Sequence, residues 1–309
     1  MTFPHSIMFH HFHGNGHPTR QGSLSAEQFR DMIDWLGGRY TLISATEFRT
    51  RALADRLDPD DVCLSFDDAL KCQIDVAVPV LENAGLDAFF FVYSSAFTGG
   101  GDNLELFSLF RSVAFVDIDA FYDAFFAMAA QQDDTIVARA AEVCDAGYLS
   151  TSPFYSRNDK IFRYMRDFLL SPETYDAINF HLMEDRGFDW SKARSNLWMS
   201  RAELHGLAGA GHVIGLHSHS HPTKMSKLTP AEQDGEYRQN RAFLAGILPD
   251  AALDCMSHPC GDYNADTLSV LDGLGVKIGF RCNVAEGAAR SRLEIPREDH
   301  ANTYREMIA

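Results

Sequence analysis

The sequence predicts an α/β fold with a parallel sheet and helices packed outside it. Three observations point there. Strand-like apolar runs alternate with amphipathic helices up to about residue 95 and again after Ser200. The polar clusters that look chemical all stand at the C-terminal ends of predicted strands, where ligands gather in α/β sheets and barrels. Between the two alternating parts, about 97–199, the chain turns aromatic-rich and mostly helical, so it reads as an insertion or cap beside the sheet.

The elements follow in order. "SIMFHHF" opens with an apolar run suited to a strand. "SAEQFRDMIDWLGG" is a helix: Ser25 and Gln28 form a capping box, Phe29, Met32, Ile33 and Leu36 make one apolar stripe, and Gly37 and Gly38 end it. "YTLIS" is a short strand, and Ser44 with Glu47 caps a short helix. "DVCLSF" is a buried strand ending at "DDA". "QIDVAVPVLENAG" is a helix holding Pro79 and closed by Gly85, and "DAFFFVYSS" is a strongly apolar strand. The insertion starts after the glycines 99–101 and offers three helices, "IDAFYDAFFAMAAQ", "KIFRYMRDFLL" and "PETYDAINFHLM". It is either a helical layer with no part in chemistry, a lid, or a subunit interface. Beyond it, Ser200 with Glu203 caps "RAELHGLAGAG", "HVIGL" is a strand, and Thr229 with Glu232 caps the long helix "PAEQDGEYRQNRAFLAGI". "LDCMSHP", "ADTLSVLDGLG", "VKIGFRC" and "RLEIPR" complete the count as strand, helix, strand and closing segment.

Composition narrows the partners. With 27 Lys plus Arg against 43 Asp plus Glu, the formal net charge is −16, a field that repels phosphate backbones and anionic lipid heads. Nucleic acid and anionic membrane are therefore not expected as the main partners, a local basic pocket aside. No run approaches the roughly 20 apolar residues that cross a bilayer, and "MTFPHSIMFHHFHGNG" lacks the basic and apolar regions of a signal peptide, so the expectation is a cytoplasmic protein. The 6 cysteines form no CxxC pair and are expected as free thiols.

Three constellations carry candidate chemistry. In "SFDDA", Asp67 and Asp68 follow an apolar strand; paired carboxylates there need a partner such as a metal, or else they cap a helix or line a solvated turn. In "GLHSHSHP", His217, His219 and His221 share a face if the strand continues, whereas a coiling chain brings only His217 and His221 together. Imidazole is a common ligand for zinc and similar ions. At the N-terminus, His10, His11 and His13 form either a loose histidine-rich tract or part of a site. Two histidines and one aspartate suit Zn²⁺, and also Co²⁺, Ni²⁺ or Mn²⁺, with positions open for water and substrate. The second aspartate is then placed to take a proton from water, the layout of metal-assisted hydrolysis.

These motifs resemble those of the polysaccharide deacetylase (NodB-homology, carbohydrate esterase family four) superfamily. "SFDDA" is similar to its TFDDG motif, "HSHSHP" to its H-[S/T]-x-x-H motif followed by proline, and "SHPCGDYNADTL" to its R-x-P-Y-G segment. "IMFHHF" resembles the first strand of the circularly rearranged branch, where the catalytic-histidine motif comes first in the chain. The likeness covers roughly 5–95 and 200–300. It implies a distorted (β/α) barrel of NodB type, here a single domain over 1–309 with the helical insertion at about 97–199. It implies one divalent metal ion on Asp68, His217 and His221, Asp67 as general base and His10 as general acid, with His219 outside the ligand set. Three positions depart from the family pattern: Ala69 replaces the glycine of the first motif, and Ser257 and Cys260 stand where the third motif has its arginine and its aromatic residue. The Cys260 backbone amide remains available to an oxyanion, and Arg297 in "LEIPRED" is the candidate to restore a cation near the aspartates. His258 is either a neighbour of the site or a surface residue.

The function implied is removal of acetyl from an N-acetylated amino sugar, nucleotide- or lipid-linked if the protein is cytoplasmic. The alternatives are an amidohydrolase of the same fold acting on a non-sugar amide or imide, and an inactive carbohydrate-binding homologue for which the altered third motif would speak.

Overall fold

The computed structural model describes residues 5–99, 103–150, 155–282, 287 and 289–309. The described chain divides into two compact units, one made of 1–102 and 196–309, the other of 103–195. The second unit lies within the stretch, about 97–199, that the sequence marks as helical. Of the glycine run 99–101 from which it was expected to start, Gly100 and Gly101 lie outside the described residues.

The first unit begins with strand β1 (Ser6–Phe9), helix α1 (Ala26–Gly37), strand β2 (Thr41–Leu42), helix α2 (Ala45–Leu53), strand β3 (Asp61–Asp67), helix α3 (Val78–Ala84), strand β4 (Phe89–Val92) and the single turn α4 (Ser95–Thr98). The second unit holds α5 (Leu104–Val113), α6 (Ile118–Ala130), α7 (Ile136–Asp145), α8 (Arg157–Tyr164), α9 (Pro172–Asp185) and α10 (Trp190–Ser195). The first unit then resumes with α11 (Arg201–Gly209), β5 (Val213–Leu216), α12 (Pro230–Ile247), β6 (Cys255–Ser257), α13 (Ala265–Gly273), β7 (Ile278–Arg281), β8 (Ile295–Asp299) and α14 (His300–Ile308).

All strand pairings are parallel. The order β1-β8-β7-β6-β5-β4-β3 closes on itself because β1 also pairs with β3, while the two-residue β2 hangs on β3 outside the ring. The result is a seven-stranded (β/α) barrel, with β1, first in the chain, as its closing strand. Barrel strands alternate inward and outward, so period two fixes which residues share a face. Cys63, Phe89, Phe91, Val213, Cys255, Ile278, Phe280 and Ile295 pack in one cluster. Asp67 stands two steps of that alternation beyond Cys63, His217 two beyond Val213, and Arg297 one beyond Ile295. The same inward rows that fill the core thus end in the polar groups of the site. Gly215, between Val213 and His217, leaves room for its neighbours: a Cβ there would stand 2.7 Å from the Phe91 ring and 2.8 Å from the Cys255 carbonyl.

Helix ends follow the sequence signals. Ser25/Gln28, Ser200/Glu203 and Thr229/Glu232 each form a complete capping box, and Ser44 caps α2. Gly85 takes the left-handed conformation (φ 66°) that closes α3. The helix expected from Gln73 begins instead as a π-turn over Gln73–Ala77, with α3 starting at Val78 and Pro79 in its first turn. Proline has no N–H to give the carbonyl four residues back, and that carbonyl, of Asp75, accepts from Asn15 Nδ2 at 2.7 Å.

The regular elements described in the second unit are all helices, as its sequence predicts. Part of its aromatic content forms a core of its own: Phe107, Phe110, Phe121, Phe125 and Phe162 are buried, with Phe162 against Phe125 at a centroid distance of 4.9 Å. No disulfide joins any of the 6 cysteines. No helix among the described residues is long and apolar enough to cross a membrane.

Candidate active site

The end of β3 turns sharply. Asp68 and Ala69 both have left-handed backbones (φ 74° and 52°), and the Asp68 amide donates to the Phe91 carbonyl at 3.1 Å. The turn sends the two adjacent carboxylates to different partners. Both are buried.

Asp67 is gripped by Arg297, whose Nη1 and Nη2 donate to its Oδ1 and Oδ2 at 2.8 Å each. This two-pronged pair is the strong form of an arginine–carboxylate contact. Arg297 is 0% exposed. Its Nη1 also reaches Ser65 Oγ at 3.3 Å. Arg297 thus places a buried cation beside the aspartates, with both terminal nitrogens on Asp67. Burial by itself would raise the Asp67 pKa. The Arg297 charge, His217, the Arg297 hydrogen bonds and His10 together outweigh it and hold Asp67 well below the usual carboxylate range.

Asp68 faces the histidines. Its Oδ1 is buried, carries no hydrogen bond among the described residues, and lies 3.5 Å from His217 Nε2 and 3.5 Å from His221 Nε2. One ligand atom from each of the three residues lies within 4.8 Å of the others. Ligands about 2.0–2.2 Å from one tetrahedral ion stand roughly 3.3–3.6 Å apart, so the donor set and its spacing fit a divalent ion. A buried carboxylate oxygen without a hydrogen bond is otherwise costly. Burial pushes the Asp68 pKa up, but the neighbouring His221, His217 and His10 hold it below the usual range.

His217 is oriented from behind. Its Nδ1 lies 2.9 Å from the Ser257 carbonyl and 2.8 Å from Ser257 Oγ. The carbonyl can only accept, so Nδ1 carries the proton and Nε2 is left free for a ligand bond. Ser257, which in sequence marked a lost arginine, is therefore a support of the histidine. His221 sits in a left-handed turn (φ 55°), as does Ser218 (φ 65°), and the His221 amide donates to Ser218 Oγ at 3.1 Å. His219 turns away and pairs its Nδ1 with Ser94 Oγ at 2.8 Å.

His10 stands across the site, directly after β1. Its Nε2 is 3.9 Å from Asp67 Oδ2 and 3.9 Å from Asp68 Oδ2, and its side chain is 26% exposed, the open edge of an otherwise buried group. His13 is bound to Ser23 Oγ at 2.9 Å. Gln73 Nε2 ties the Asp67 carbonyl (2.7 Å) to the His10 carbonyl (3.0 Å), a link that sequence reasoning missed. Cys260 has a left-handed backbone (φ 52°) in the turn after β6, and its side chain is exposed. His258 is no surface residue: it is buried, stacked on Tyr263 at 4.2 Å, with Nε2 on the Leu293 carbonyl at 2.8 Å.

Comparison with known proteins agrees with this geometry. Residues 181–279 match the family model described as polysaccharide deacetylase. That stretch contains His217, His221, Ser257 and Cys260; Asp67, Asp68, His10 and Arg297 lie outside it. No curated protein matches the sequence. Among solved structures, the chain is similar to a Streptococcus pyogenes deacetylase, PplD, in complex with acetate (14% identity, TM-score 0.53, 96% of this chain and 91% of that one). It is similar to IcaB from Ammonifex degensii (13% identity, TM-score 0.52, 97% and 95%). It is also similar to a de-N-acetylase from Aggregatibacter actinomycetemcomitans (11% identity, TM-score 0.55, 98% of each chain). At such identities the likeness is one of fold. The fold is the NodB-type barrel, and the resemblance to the polysaccharide deacetylases read from the motifs is borne out.

Proposed function

We propose that this protein is a metal-dependent N-deacetylase that hydrolyses the acetamide of an N-acetylated amino sugar. One observation carries the reading: a carboxylate held ionised by a buried arginine stands beside an Asp/His/His ligand set, with a half-open histidine facing both. The family match over 181–279 and the shared fold support the reaction class.

Asp68, His217 and His221 would hold a divalent ion, zinc by donor type with cobalt, nickel or manganese as alternatives. Such an ion supplies Lewis acidity toward an amide carbonyl and a water molecule. Asp67, fixed by Arg297, takes a proton from the attacking water. His10 gives a proton to the departing amine nitrogen. Ser257 keeps His217 in the tautomer that can bind. The backbone amide of Cys260 is the candidate donor to the developing oxyanion. The altered third motif would favour an inactive binding homologue if nothing replaced its arginine; the pairing of Arg297, from β8, with Asp67 supports reading it as that replacement.

Two measurements test the reading. Elemental analysis should find about one divalent ion per chain in wild type and none in His217→Ala. Acetate release should fall by about 10²–10⁴-fold in Asp67→Asn. An unchanged rate in Asp67→Asn would falsify the mechanism. A substrate panel of polymeric, nucleotide-linked and lipid-linked N-acetyl amino sugars, alongside a formamide and a cyclic imide, settles the substrate.

A further inference from the structure

The two metal-ligand histidines proposed above lie at the end of β5 and in the loop after it, and that loop has no regular secondary structure to hold it. Its backbone is nonetheless pinned from two sides. From one side, the amides of Ser94 and Ser95 donate to the carbonyls of Ser218 (3.3 Å) and His219 (2.9 Å). From the other, α12 presents two side chains four residues apart, and therefore on one face of the helix. Asn240 is fully buried; its Oδ1 accepts from the His217 amide at 3.0 Å and its Nδ2 donates to the Val92 carbonyl at 2.9 Å, joining the ends of β5 and β4. Glu236 Oε2 accepts from the amides of His219 (2.9 Å) and Ser220 (2.7 Å), and its Oε1 accepts from Ser220 Oγ at 2.7 Å. Ser220 is the residue immediately before His221, whose left-handed backbone is costly unless its surroundings fix it.

We propose that Glu236 and Asn240 are positioning residues that preset His217 and His221 for a metal ion, so that ligand geometry is built into α12 before any ion arrives. The inference rests on the metal-site reading above. Neither side chain contacts a ligand atom; both act through the backbone of the ligand loop. A carboxylate suits the position of Glu236, because two N–H groups and one O–H converge there and it meets them with two oxygens that only accept. A glutamine keeps one accepting oxygen for the two amides and offers its NH₂ to Ser220 Oγ, so it can reproduce the clamp. Alanine cannot.

The test is metal affinity of the metal-free protein, measured by chelator competition with Zn²⁺, together with the visible absorption spectrum of the Co²⁺ form. Supporting residues behind metal ligands affect affinity by about 10–100-fold, so Glu236→Ala should weaken Zn²⁺ binding by that factor, and Glu236→Gln should stay within about threefold of wild type. The Co²⁺ bands should change in Glu236→Ala and be restored in Glu236→Gln. A purely structural role would lower the melting temperature of Glu236→Ala and leave both metal readouts alone. If Glu236→Ala does not fold, Ser220→Ala, which removes only the bond to Oε1, takes its place with a smaller loss of affinity expected. Wild-type affinity and spectrum in Glu236→Ala, or in Ser220→Ala where that variant stands in, overturn the clamp alone. Wild-type protein that takes up no ion overturns the metal-site reading, and the clamp with it.

Discussion

Asp67 and Asp68 are adjacent in sequence yet face opposite problems. Asp67 is a buried charge with a matched counter-charge, and Asp68 a buried oxygen whose nearby groups are imidazoles. Breaking a buried pair from one side leaves the other charge uncompensated and costs about 3–5 kcal/mol. Arg297→Met should therefore lower unfolding free energy by that order as well as turnover, whereas Arg297→Met combined with Asp67→Asn should recover much of the stability and none of the activity. Denaturant titration of the two variants checks this. His258 gives a separate signature. Burial holds its imidazole down to about 4, against about 6.5 for an unfolded histidine. The unfolded chain then binds a proton that the folded one refuses, so this group's contribution is full above pH 6.5 and is lost as pH falls toward 4. The loss is on the order of 3 kcal/mol. Wild-type stability should drop between pH 7 and 4.5, and His258→Gln should flatten that slope. Burial also lowers the His212 pKa, which adds in the same direction.

Single elements expose how tightly the barrel wall is drawn. A Cβ on Gly279 in β7 would stand 2.6 Å from the Leu293 carbonyl, and one on Gly215 in β5 2.8 Å from the Cys255 carbonyl. Backbone cannot step aside as a flexible side chain can, so Gly215→Ala and Gly279→Ala should each destabilise by about 1–3 kcal/mol, read from thermal or chemical unfolding. Gly246→Ala in α12, with nothing within 4 Å, should not destabilise. Elements of this kind were largely legible in the sequence where a local signal exists. The α1 stripe of Phe29, Met32, Ile33 and Leu36 is the buried face, and the capping boxes stand where side-chain spacing puts them. Helix α14 was missed because "HANTYREMI" offers mainly polar residues and its cap, Asp299, lies within strand β8. The π-turn at Gln73–Ala77 was missed because periodicity does not distinguish a widened turn from an α-turn. At the site, Asp67, Asp68, His217, His221 and His10 converge, as the family resemblance implied. Gln73, Glu236 and Asn240 were invisible because each acts by a hydrogen bond to backbone well separated in sequence, and the support from Ser257 because its carbonyl and hydroxyl meet a histidine side chain 40 residues away.

At the scale of the molecule, the closing strand comes from the first described residues. β1 pairs with β3 on one side, Ser6 opposite Cys63, and with β8 on the other, Ser6 opposite Arg297. It therefore joins the strand that carries Asp67 to the strand that carries Arg297, and it delivers His10 at its end. A central strand tolerates proline poorly, since a ladder hydrogen bond is lost and the ring must be accommodated. Ile7→Pro should cost about 3 kcal/mol or more, and it should remove metal binding and turnover together because the barrel can no longer close around the site. Leu42→Pro, in the two-residue β2 outside the ring, should cost well under half as much and leave both readouts intact. Unfolding curves and ion content of the two variants decide the matter. If Ile7→Pro kept its ion and its rate, closure by β1 would be dispensable, and the Asp67–Arg297 pair alone would have to hold β3 and β8 in place.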